Sequence, residues 1–110
     1  MIGIDMVCVE RIKNVKHKEA FLAKVLTSNE INHYHHLNNP TRQDQWLAGR
    51  FAAKEAIIKA LPTFISMSNI EIVVQNNKLV FYHLNNTIHV SISHENDYAI
   101  AIALLERSSE

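Results

Sequence analysis

Asp5 is the one charged residue in an otherwise apolar run, Ile2 to Val9. A carboxylate inside a buried strand is costly unless a cation or several donors meet it. Asp5 is therefore either a ligand group or a strand-end residue capping a loop. Glu55 and Lys59 stand four apart in a long helical pattern, on one face with Ala48 and Ala52. Small residues admit a ligand or a second backbone close to that face, next to an acid and a base. An ordinary exposed ion pair has the same spacing. His33, His35 and His36 also share one segment. Their offsets along a helix converge poorly on one ion, which favours a solvated face over a metal site. The only cysteine, Cys8, lies in the apolar run and fits a packed small hydrophobe, with no local base to make it a nucleophile.

The elements that must position these residues are legible. Ile2 to Val9 forms the first strand. Phe21, Leu22, Val25 and Leu26 give His17 to Leu26 helical spacing. Thr27-Ser28-Asn29-Glu30 fits a capping box that starts a new helix. Asn38 to Thr41 is a break, with Thr41 as N-cap of a helix running to Leu61 and stopped by Pro62. Leu47, Phe51, Ile58 and Leu61 form its apolar stripe. Four β-rich runs follow: Ile70 to Gln75, Lys78 to Leu84, Thr87 to Ser93 and Tyr98 to Leu105. Asn76-Asn77, Asn85-Asn86 and His94 to Asp97 are the turns between them. A strand, then helices, then a strand meander predicts an α+β domain, a mostly antiparallel sheet packed on one long helix, as a single unit over residues 1–110.

Size and charge narrow the function. A chain of 110 residues buries only about two-thirds of its unfolded surface, so sites between subunits of a homo-oligomer are expected. Eleven basic residues balance eleven acidic ones, which disfavours nucleic acid as a partner. Glu10 to Lys24 nevertheless carries a local excess of three positive charges, through Arg11, Lys13, Lys16, Lys18 and Lys24 against Glu10 and Glu19. That patch is either a solvated helix face or a surface for an acidic partner. The N-terminus lacks the basic and apolar regions of a signal peptide, and Tyr98 to Leu105 is too short to span a bilayer. A cytoplasmic location is the expectation.

Three segments stand in order: Gly3-Ile4-Asp5-Met6, then Trp46 to Ala56 (WLAGRFAAKEA) with Lys59, and Val90-Ser91-Ile92-Ser93-His94 with Tyr98 to Ala101. Together they resemble the holo-acyl-carrier-protein synthase family, the small trimeric phosphopantetheinyl transferases. Phe21 and Leu26 to Glu30 also fit the family pattern. The resemblance spans essentially the whole chain.

What the resemblance implies is specific. The reaction is attack by a carrier-protein serine on the pyrophosphate of coenzyme A, releasing adenosine 3′,5′-bisphosphate. Asp5 and Glu55 match the carboxylates that hold a divalent cation, Mg2+ or Mn2+. Lys59 matches a lysine facing the coenzyme phosphates. Arg50 and His94 match positions near the nucleotide end, contributed across a subunit boundary of a homotrimer. Arg11 and Lys13, on a basic first helix, match the surface meeting the acidic acyl carrier protein. Such chemistry needs alignment and charge neutralisation, and Mg2+ takes one or two carboxylates with phosphates and water. The serine proton has three candidate acceptors: Glu55, Asp5 or water at the metal. The family's glycine-rich phosphate loop after the long helix is replaced here by Leu61 to Asn69, which has no glycine, and its Gly-x-Pro element by Asn77-Lys78-Leu79. The alternative reading is a divergent module of the same fold that binds carrier protein or coenzyme A without transfer.

Overall fold

The computed structural model describes residues 1–107; the last three positions of the expected 1–110 domain lie outside the described residues. Strand β1 (Ile2–Cys8) leads into helices α1 (Val9–Lys13), α2 (Lys18–Val25), α3 (Ser28–His36) and α4 (Pro40–Ala60). A short 3-10 turn (Met67–Asn69) precedes β2 (Val73–Gln75), β3 (Lys78–His83), β4 (Asn86–His94) and β5 (Tyr98–Arg107). All strand pairs are antiparallel, in the order β1-β5-β4-β3-β2. The N-terminal strand thus closes onto the C-terminal one, and α4 packs across β1, β5 and β4. The expected sheet on one long helix is the observed architecture.

Small residues on both sides make that packing close. Strand β5 turns Ala99, Ala101 and Ala103 toward the core. Helix α4 buries Ala48, Ala52, Ala53, Ala56 and Ala60 with Leu47 and Ile57. At Gly3 the approach leaves no room for a side chain: a Cβ there would fall on the carbonyl oxygen of Ala56 and within 3.1 Å of the Ala60 nitrogen.

Several boundaries differ from the sequence reading. The basic stretch spans two helices: α1 ends at Lys13, and the helix expected over His17 to Leu26 runs Lys18–Val25. The N-cap of α4 is Asn39, not Thr41. Asn39 Oδ1 accepts the backbone N–H groups of Thr41 (2.8 Å) and Arg42 (3.2 Å), and Pro40 at the first position has no N–H to satisfy. Only Val73–Gln75 of the expected 70–75 strand pairs in the sheet. Ile72 donates its N–H to Glu30 Oε2 (3.1 Å) instead. Asn76 and Asn77 form their hairpin turn with φ of 54° and 63°, as a two-residue primed turn requires. The β3–β4 turn is Leu84-Asn85 rather than Asn85-Asn86, with Leu84 at φ 55° and its side chain in solvent. The capping box at Thr27 is present in full.

Candidate active site

The β1–α4 crossing brings Asp5 of the first motif and Lys59 together. Asp5 sits two residues from Gly3 on the same strand face, opposite Ala101 of β5, and so points at α4. Lys59, from the last turn of α4, places its ammonium 3.3 Å from Asp5 Oδ1 and donates to the Ile4 carbonyl at 2.9 Å. One helical turn earlier, Glu55 is half-buried and makes no side-chain hydrogen bond or ion pair among the described residues. The buried-strand reading of Asp5 therefore resolves to a carboxylate with one cationic partner and spare acceptor capacity.

No three His, Cys, Asp or Glu side chains converge among the described residues. The expected histidine face of α3 agrees: His33, His35 and His36 are all exposed. Two carboxylates, hard oxygen donors with one not otherwise engaged, suit a cation that completes its shell with phosphate oxygens and water. The donor set at Asp5 and Glu55 fits Mg2+ in that sense.

Glu55 also lines a groove of about 450 Å³ with Phe21, Val25, Phe51, Phe64 and Met67. One wall comes from α2 and the other from the segment between α4 and β2. Phe64 leaves three-quarters of its surface in solvent there.

Arg50 and His94, distant in sequence, face one cleft with Trp46, Gly49, Leu79 and Ile92. The Arg50 guanidinium lies 4.9 Å from the Trp46 ring centre, a cation–π distance. Its buried Nε has no partner among the described residues, and burial pushes the Arg50 pKa down from the ordinary arginine range. A donor left buried and unpaired disfavours the free state and favours an acceptor arriving from outside. Arg11 and Lys13 on α1 are both exposed.

Sequence reading missed the most buried ionic group. Lys54, fully buried, donates to Glu30 Oε1 (2.5 Å), Val25 O (2.8 Å) and Met67 O (3.0 Å). Desolvation lowers its pKa, and Glu30 opposes that. The signal available was a lysine amid small helix residues, Ala52-Ala53-Lys54, on a surface the alanines mark as buried.

Comparison with known proteins agrees with this geometry. The family model of the 4'-phosphopantetheinyl transferase superfamily matches residues 1–103. The holo-[acyl-carrier-protein] synthase of Mycoplasma capricolum subsp. capricolum is 45% identical over 104 residues, covering 94% of this chain and 91% of the relative. That of Halalkalibacterium halodurans is 42% identical, covering 97% and 95%. The Bacillus anthracis synthase in complex with CoA (3',5'-ADP) superposes with TM-score 0.85 at 36% identity, over 97% of this chain and 96% of the other. The Helicobacter pylori synthase in complex with coenzyme A gives TM-score 0.79 at 33% identity, over 96% and 100%. The chain therefore belongs to the 4'-phosphopantetheinyl transferase superfamily, among its holo-[acyl-carrier-protein] synthases.

Proposed function

We propose that this chain transfers the 4'-phosphopantetheine group of coenzyme A to a serine of apo acyl carrier protein, releasing adenosine 3',5'-bisphosphate, in a reaction that depends on Mg2+ or Mn2+. The observation that carries it is the joining of Lys59 to Asp5 at the β1–α4 crossing, one helical turn from a free Glu55. Asp5 and Glu55 would hold the cation. When bound there, it neutralises pyrophosphate charge and lowers the cost of the developing anion. Lys59, more than half exposed, can turn toward the phosphates and balance the same charge. Arg50 and His94 hold the nucleotide end, where the unpaired Arg50 Nε finds its acceptor. Arg11 and Lys13 steer the acidic carrier protein.

Assembly as a homotrimer belongs to the same reading. Ile2, Ile4 and Met6 on β1 are paired in register with Leu104, Ile102 and Ile100 on β5. All six side chains face solvent, each at least 41% exposed. A contiguous apolar sheet face of that kind marks a contact surface, and sites between subunits follow from covering it. Among the described residues no helix is long and apolar enough to cross a membrane; a cytoplasmic location belongs to the same reading.

The test is mass spectrometry of an apo carrier protein incubated with the chain, coenzyme A and Mg2+. The expected result is a gain of one phosphopantetheine on the carrier serine. A folded chain that leaves the carrier mass unchanged while binding it or coenzyme A would instead establish the non-catalytic module.

A further inference from the structure

Trp46 and Arg50 stand one turn apart on α4, a spacing that brings two side chains of a helix together. The guanidinium carbon lies 4.9 Å from the indole centre. From α3, the His33 ring meets the same indole at 5.0 Å between centres with a tilt of 39°, and Tyr34 meets it at 6.4 Å. The indole is thus held between two helices and in turn bears the guanidinium. Carboxylates that could have held Arg50 instead are close by. Glu30 and Glu71 border the same cavity of about 160 Å³, and neither pairs with it among the described residues. Glu30 is already engaged: Oε1 accepts from the Lys54 ammonium (2.5 Å) and the Thr27 N–H (3.0 Å), and Oε2 from the Ile72 N–H (3.1 Å).

Resting on the transfer reaction proposed above, we infer that Trp46 is a positioning residue: its ring face aims the Arg50 guanidinium while leaving the charge and the N–H donors for an anionic ligand. A carboxylate partner would also fix an arginine, but it would neutralise the charge and occupy the planar fork that suits phosphate. An aromatic face attracts the cation through its quadrupole and takes up none of those donors. Trp46 and Arg50 are common to two cavities, bordering His33 in one and His94 in the other. The indole therefore links α3 to the cleft where Arg50 and His94 face each other. Burial holds the Arg50 pKa below the ordinary arginine range and its Nε has no partner among the described residues, so an arriving anion offsets a cost the free protein carries.

The test is a double-mutant cycle on the full chain, read by steady-state kinetics with coenzyme A as the varied substrate. The four proteins are wild type, Trp46→Leu, Arg50→Gln and the double variant. Trp46→Leu should raise KM for coenzyme A about tenfold and keep kcat within about twofold of wild type, the pattern of lost binding that ground and transition states share. In the Arg50→Gln background the same change should have no further effect, because nothing is left to position. Trp46→Phe restores a ring face and should bring KM back to within roughly threefold of wild type. A role in the fold alone would lower kcat through a smaller active fraction, leave KM in place and add to the loss from Arg50→Gln. That additivity, or an unmoved KM in Trp46→Leu, overturns the inference. Where Trp46→Leu does not fold, fluorescence decides, since Trp46 is the chain's only tryptophan. Adenosine 3′,5′-bisphosphate should change its emission in wild type and leave it unchanged in Arg50→Gln. No change in wild type, or an equal change in both, refutes the inference. If wild type transfers phosphopantetheine and any of these contrary results appears, the inference alone is lost. Wild type that binds neither ligand and transfers nothing refutes the proposed reaction as well.

Discussion

The Lys59 ammonium lies 3.3 Å from Asp5 Oδ1, although 54 residues separate the two in sequence. The contact ties the end of the long helix to the first strand. It also places the Asp5 carboxylate beside the helix face that carries Glu55 one turn away. An acid and a base that sequence spacing left apart are joined by one crossing of two elements.

Glu55→Gln keeps the size of the side chain and removes its charge. Transfer should fall roughly 100-fold or more, the scale of losing one electrostatic partner of a reacting phosphate. The circular dichroism spectrum should stay unchanged. Chelation of wild type with EDTA should abolish transfer, and Mg2+ should restore it. Wild-type turnover in Glu55→Gln would contradict the carboxylate assignment.

Lys59→Met separates chemistry from stability. The Lys59 side chain is 53% exposed, so its pairing with Asp5 is screened by solvent and contributes less than about 1 kcal/mol. Urea midpoints of variant and wild type should nearly coincide, while transfer drops by at least tenfold. Equal activity would remove Lys59 from the site.

Gly3→Ala should be strongly destabilising, because the added methyl meets the Ala56 carbonyl, which belongs to backbone and not to a movable side chain. Overpacking of this kind costs typically 1–3 kcal/mol. Chemical denaturation should show a loss at the upper end of that range or beyond. A variant as stable as wild type would mean that α4 sits further from β1.

Arg11→Glu combined with Lys13→Glu reverses the charge of two exposed residues on α1. Carrier-protein affinity should weaken by about tenfold and lose part of its salt dependence, since surface charges act on association. Coenzyme A affinity should remain as in wild type. If both affinities are unchanged, the carrier docks elsewhere.

Ile102→Lys introduces a charge in the middle of the exposed β1–β5 face, opposite Ile4. Wild type should sediment as a trimer and the variant as a monomer. The single-chain fold should survive, because this position faces away from α4. A trimer that persists would place the subunit contact on another surface.

The fold was largely legible because its periodicities are strong. The alternation of Ala and large residues along 98–105 and the apolar run of β1 leave little choice of register. The Thr27–Glu30 capping box was readable for the same reason, since both partners lie within one turn. Side-chain networks between distant segments were not. Nothing near Lys54 in the sequence announces Glu30, and nothing near Ile72 explains why it leaves the sheet; both follow from a carboxylate reached only after folding. The Asn39 cap was obscured by Pro40, which marks a break in sequence but fits the first helical position. The family resemblance put Arg50 and His94 near the nucleotide end across a subunit boundary; that both line one cleft of the same chain has no local signature, because only the packing of α4 against β4 creates it.

Strand β5 carries small residues inward and branched ones outward at every step from Ala99 to Leu104. Sliding its pairing by a single position would drive Ile100, Ile102 and Leu104 under a helix fitted to methyl groups. It would also strip the outer surface of its grease. Misaligned hairpins are therefore rejected on steric and hydrophobic grounds together, and the same ten residues that join β1 to β4 also proofread how the sheet is assembled.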